Sequence, residues 1–274
     1  MADIKISKFS SLSFENDWRA YFDKKQHYVQ KIAQNEPIRI QFSATTQTYL
    51  AGVKDCNGQI KGVDVDELYA SSQNNKSIYE CLFAFNTTGF YEFFIKKDEE
   101  NTIRSFFEVK ERDKLEGIVS LRYTNRKNDF DTIFVSGNGE QKYFNFYIEG
   151  GIYPGEKSQR IENSIFRDQS FSLHQMSAIP YEVSVLTIGD AKGVPQWVGN
   201  KINHIFSLSD VKVNDEQMVR SESSVPEMSS ISDKYPLYIF KISIEQSDHI
   251  DSLSDEDGST YGRIFDYTFA TIFN

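Results

Sequence analysis

The stretch VLTIGDAKGVPQWVGNKIN, residues 185–203, decides how the second half of this chain is built. A β-branched apolar run, Val185-Leu186-Thr187-Ile188, stops at Gly189, and Gly193 precedes Pro195 and an apolar stretch of different period. Two kinds of structure share this outline. A phosphate loop needs glycines that let backbone N–H groups approach an anion, and a Lys-Ser or Lys-Thr pair at the helix start. Here Lys192 is followed by Gly193 rather than a hydroxyl residue, and Pro195 removes one donor. The stretch therefore reads as a strand-to-helix turn. Pro195 suits the first helical position, where a missing N–H has no intrahelical partner to lose. Val198, Ile202, Ile205 and Phe206 then fall on one apolar face, which predicts a helix over about 195–206 with Trp197 flanking it.

Strand patterns surround that helix. Tyr181–Ile188 precedes it and Val211–Val213 follows it, and further runs lie at 118–123, 143–148, 237–244 and 264–272. In one of these, Phe144, Phe146 and Ile148 share a face while Tyr143 and Tyr147 share the other. Earlier in the chain, Ile38, Ile40 and Phe42 alternate with Arg39, Gln41 and Ser43, the period of a half-buried strand. Asn57-Gly58 marks a turn, and residues 77–108 read as a three-stranded meander. The charged stretch 110–116 separates two apolar patterns and serves as a boundary. The expected organisation is an N-terminal arm over 1–34 with a short helix, an immunoglobulin-like β-sandwich over 35–113, and a β-rich domain over 114–274 carrying the one helix. Ser221 to Ser232 reads as a long loop.

Composition narrows the function. The chain of 274 residues has 22 Phe and 15 Tyr, which suits strands, and a net charge of -10, which offers no basic field to a phosphate backbone. Sequence-specific nucleic-acid binding is not expected. No window approaches the roughly 18 apolar residues of a membrane span, so membrane insertion is not expected either. Cys56 and Cys81 lack metal-ligand spacing and are expected as reduced, part-buried thiols.

Candidate sites are few. SGNGEQK (136–142) has two glycines but leads into a strand, no GxSxG occurs, and His27, His174, His204 and His249 show no zinc pairing. In the acidic tract 248–258, aligning Gly258 with the sixth position of an EF-hand loop puts Leu253 and Ile264 at ligand positions, and neither can bind a cation. No catalytic residue, cofactor or metal is therefore assigned. What remains is aromatic surface. Trp18, Tyr21 and Phe22 recur at helical spacing in the arm; Tyr143 and Tyr147 share a strand face; Trp197 flanks the helix; Phe265, Tyr267, Phe269 and Phe273 cluster near the C-terminus. These ten are candidate interface residues, with burial between sheets and sugar stacking as the other readings.

Taken together, FNFYIEGGIYPGEK (144–157), residues 181–215, EPIRIQFSA (36–44) and KDCNGQI (54–60) resemble tail and baseplate-type structural proteins of phages and prophages of gut anaerobic bacteria. The resemblance is diffuse, covers most of the chain and brings no catalytic motif. It implies a tail-tube-like second β-sandwich flanked by the helix. It also implies a non-enzymatic subunit of a tail, baseplate or neck that forms a symmetric ring with copies of itself and meets other virion proteins. Such a protein would be assembled in the host bacterial cytoplasm and reside in the virion. The alternative is a carbohydrate-binding module that recognises cell-surface glycan through exposed aromatics.

Overall fold

A computed structural model describes residues 4–14, 29–45, 49–70, 76–97, 102–190, 193–221, 227–232 and 235–246. Seven of the ten candidate interface residues, Trp18, Tyr21, Phe22, Phe265, Tyr267, Phe269 and Phe273, lie outside the described residues, as do the acidic tract and the strand expected over 264–272.

The first half is a two-sheet sandwich. Its strands are β1 (Lys5–Ile6), β2 (Gln30–Ala33), β3 (Ile38–Thr45), β4 (Leu50–Asp55), β5 (Ile60–Val63), β6 (Asp66–Ala70), β7 (Lys76–Phe83), β8 (Gly89–Lys96) and β9 (Thr102–Lys110). One sheet runs β1-β3-β7-β6 and the other β2-β9-β8-β4-β5. The alternation read in β3 is real: Ile38, Ile40 and Phe42 are buried and meet Phe93, Ile95, Phe107 and Val109 of the facing sheet in one core. Two expectations change. Residues 77–108 are not a single meander, because β7 pairs with β3 while β8 and β9 pair in the opposite sheet. The sandwich also begins before residue 35, since β2 pairs in parallel with β9.

The second half is a barrel. Its elements are β10 (Ile118–Thr124), β11 (Phe144–Arg167), β12 (Leu173–Ile188), β13 (Val194–Pro195), α1 (Gln196–Ile205), β14 (Asp210–Val213), β15 (Glu216–Arg220), β16 (Glu227–Ser232) and β17 (Tyr235–Gln246). Pairing runs β12-β11-β10-β14-β15-β17, and β17 returns to pair with β12, so these strands close on themselves. Closure removes the free edges that a second open sandwich would carry. Inward residues alternate along each wall, with Leu121 and Tyr123 on β10, Phe144, Phe146 and Ile148 on β11, and Phe240, Ile242 and Ile244 on β17.

The helix forms where its pattern placed it. Val198, Ile202 and Ile205 enter the barrel core, and Gly199 lies under the Phe240 ring, where an added Cβ would sit 2.3 Å from a ring carbon. Pro195 stands one position earlier than expected, as the N-cap, because Val194 and Pro195 pair with Tyr238 and Leu237 of β17 before the helix starts. Ser221–Ser232 is not wholly loop, because Glu227–Ser232 forms β16 against β17.

The N-terminal segment joins the two halves. β1 adds to β3, Leu12 enters the sandwich core, and Phe9 enters the barrel core beside Phe134. Tyr123 donates its hydroxyl hydrogen bond to the Phe9 carbonyl at 2.9 Å, deep in the barrel. Lys201 of α1 donates to the Lys8 and Ser10 carbonyls. The described part of the predicted arm therefore packs within its own chain.

Candidate assembly surface

The stretch that opened the question proves to be structural. Gly189 has φ +109°, and a Cβ there would lie 2.6 Å from the Tyr238 carbonyl oxygen, so only glycine lets β12 turn this close to β17. Its N–H donates to the Glu149 carbonyl at 2.8 Å and that of Gly193 donates to the Gly189 carbonyl. Those donors are consumed by the protein, leaving none of them to cradle a phosphate.

Where sandwich meets barrel, polar groups are buried and paired. Glu80 of β7 receives Arg39 at 2.7 Å, Lys142 at 2.8 Å and the Gln41 amide at 2.8 Å. Gln41 also donates to the Ile133 carbonyl at 2.9 Å and accepts from its N–H at 2.8 Å, and Arg39 donates to the Tyr143 carbonyl. Burial by itself raises the Glu80 carboxyl, but hydrogen bonds from Lys142, Gln41 and Arg39 outweigh it and hold the group below the ordinary glutamate value. Residues 133, 142 and 143 lie between β10 and β11, so this network fastens one half of the molecule to the other.

A polar cleft of about 280 Å³ opens beside it, lined among others by Glu36, Arg112, Arg122, Tyr143 and Tyr147. The two tyrosines do not form an open face. Tyr147 is buried, with its hydroxyl pushed to a higher pKa first by burial and then by Glu36, while Tyr143 lies half-buried with the Arg122 guanidinium 4.6 Å from its ring centre. Trp197 is half-buried and packs on the barrel core. The structure thus assigns these three candidates to packing or the cleft rather than to a coplanar platform. Among the described residues, no group of three or more His, Cys, Asp or Glu side chains comes together as a metal site, and no helix is long and apolar enough to cross a membrane. Both cysteines are unbonded, but neither is part-buried as expected: Cys81 is fully buried and Cys56 is exposed on the β4–β5 turn.

The surface that sequence reading missed is a hairpin. β11 and β12 continue far past the barrel wall, because β10 pairs with β11 only through Glu149 and β17 pairs with β12 only from Val183 onward. The ladder from Gln159↔Glu182 to Arg167↔Leu173 projects about 26 Å at some 3.3 Å per residue, with both outer edges unpaired among the described residues. At its base, residues 153–156 of β11 stand opposite one residue of β12, an enlarged bulge of the kind that bends a strand. Glu156 anchors the bend through Lys241 and Thr187.

The hairpin's apolar residues are exposed. Phe171 is 76% exposed, Met176 69% and Ile161 64%, joined by Tyr153, Ile165, Phe166, Leu173 and Ile179. Opposed residues share a face, so Ile161, Ile165 and Leu173 lie on one side and Phe166 and Ile179 on the other. The tip is held stiff by Asp168, whose carboxylate accepts from the Ser172 N–H at 2.9 Å and meets His174 at 3.1 Å. Within that turn Phe171 adopts φ +65°, a region that bulky residues avoid, and it points a large ring outward. The sequence signal was present in IENSIF and LHQMSAIP, but without clean alternation neither run reads as a strand of known facing.

No family model matches the chain, and no curated protein matches it. One solved structure similar to part of it is the "Crystal structure of Dpr2 Ig1-Ig2 in complex with DIP-Theta Ig1-Ig3", at 9% identity over 82% of this chain and 89% of that one, with a TM-score of 0.18. The chain is a mainly β protein, with three sheets and one short α-helix among the described residues.

Proposed function

We propose that this protein is a non-enzymatic structural subunit of a phage tail, baseplate or neck, which assembles with copies of itself as a ring and meets other virion proteins. The observation that supports this reading most is the projecting hairpin. A two-stranded ribbon is marginal in water and large apolar side chains are seldom grouped in the open, so such an element serves association. The buried, ion-paired junction supports it further, because a subunit that transmits shape through an assembly needs its two halves fixed. The tail assignment itself rests on the sequence resemblance.

Light scattering of the purified protein over a wide concentration range, with negative-stain images of the same samples, tests the reading. A defined oligomer with ring-shaped particles is expected. A strict monomer at every concentration, also in the presence of the other tail proteins, would overturn it.

A further inference from the structure

Resting on the assembly reading, we propose that the hairpin tip of one copy seats in a groove on the sandwich of the next copy, making a head-to-tail contact. The groove is about 490 Å³ and lies beside the Asn57-Gly58 turn, with Val29, Phe90 and Phe106 supplying apolar lining. Val29 and Phe90 are exposed there, at 36% and 56%. An outward aromatic at a stiff tip and a shallow groove edged by aromatics are complementary in kind: the first loses its exposed ring and the second its exposed walls.

Charge agrees with this pairing. Beside the tip, Arg167 has no ion-pair partner among the described residues, while the groove carries Asp55, and also Glu92, which is already paired with Arg104. The tip also carries Asp168, and the groove carries Lys54. Between Ser158 and Tyr181 the charges are Arg160, Arg167, Glu162 and Asp168, which cancel, in a chain of net charge -10. A neutral ribbon is the part of this molecule that approaches a second acidic copy with the least repulsion. The number of residues in the ribbon is also of the order that one side of a standard interface contributes, about 20–30.

Tip and groove are different surfaces, one on the barrel and one on the sandwich, so a one-way head-to-tail contact propagates into a ring or a filament, whereas a reciprocal exchange of tips would end at a two-fold pair.

The groove contains its own reporter, since Cys56 is exposed at its rim and Cys81 is buried. Ser172→Cys places a second accessible thiol beside Phe171. Treatment with a short bismaleimide is expected to give a ladder of covalent multimers for this variant and none for Ser172→Cys/Cys56→Ser. Separately, Phe171→Asp is expected to weaken assembly at least about tenfold with no change in melting temperature. Assembly by the wild type without a ladder, or undiminished by Phe171→Asp, would sink the tip-in-groove contact and leave the ring reading standing. Closed dimers that do cross-link would do the reverse. A monomer without cross-links would end both.

Discussion

The junction and the hairpin invert the usual distribution of residues. At the junction, Glu80, Gln41 and Arg39 are withdrawn from water, and each finds partners across the two halves. On the hairpin, Phe171, Met176 and Ile161 stand largely in water. Buried polar groups cost stability unless paired, whereas exposed apolar groups cost little until a second surface arrives. The junction is therefore where the fold is sensitive, and the hairpin is where association is sensitive.

Substitutions separate the two regions. Glu80→Ala leaves Arg39 and Lys142 facing each other in a buried site and is expected to lose about 3–5 kcal/mol of unfolding free energy in urea titrations. The effect depends on pH with a definite sign. Because the folded carboxyl is held below its ordinary value of 4.5, its contribution is complete above that pH and fades as pH falls through the folded value. The stability gap between wild type and Glu80→Gln should accordingly shrink on acidification below about pH 4.5 and stay constant above it. A gap that widens in acid would contradict the network.

Gly199→Ala pushes a methyl group into the Phe240 ring and is expected to cost about 1–3 kcal/mol by the same titration. On the hairpin, Ile165→Ser with Leu173→Ser should change unfolding free energy by no more than about 0.5 kcal/mol, while lowering the mass seen in light scattering. If that pair destabilised the fold as much as Gly199→Ala, the ribbon would be packing within its own chain and the contrast would fail. The smallest effect is on thiol reactivity. Burial, followed by Asp66 and Glu80, pushes the Cys81 thiol up to about 12, so a thiol reagent should titrate Cys56 alone in the native protein and both after unfolding.

Much of the body was legible in the sequence. The helix face Val198, Ile202, Ile205 was read correctly because three-turn periodicity is a local property, and so was the alternation of β3. The glycine turn could be separated from a phosphate loop because that chemistry requires a hydroxyl residue which is missing. The hairpin was not legible as a surface. Its strands carry apolar residues on both faces, so no period announces which side meets water. The tyrosines at 143 and 147 left interface and burial both open from sequence, and they pack at the junction.

By itself the sequence determined a mainly β chain, a sandwich pattern before residue 113, a helix over about 195–206, and a net charge of -10. Those follow from periodicity, turn residues and charge, which act between neighbours or sum over the chain. Only the tertiary structure decided that β17 returns to β12 to close a barrel, that Phe9 and Leu12 stitch two cores together, and that β11 and β12 run on beyond the wall. Closure and projection depend on which distant strands meet. Pairing between residues far apart in the chain is chosen by the whole packed core, so no local stretch encodes it.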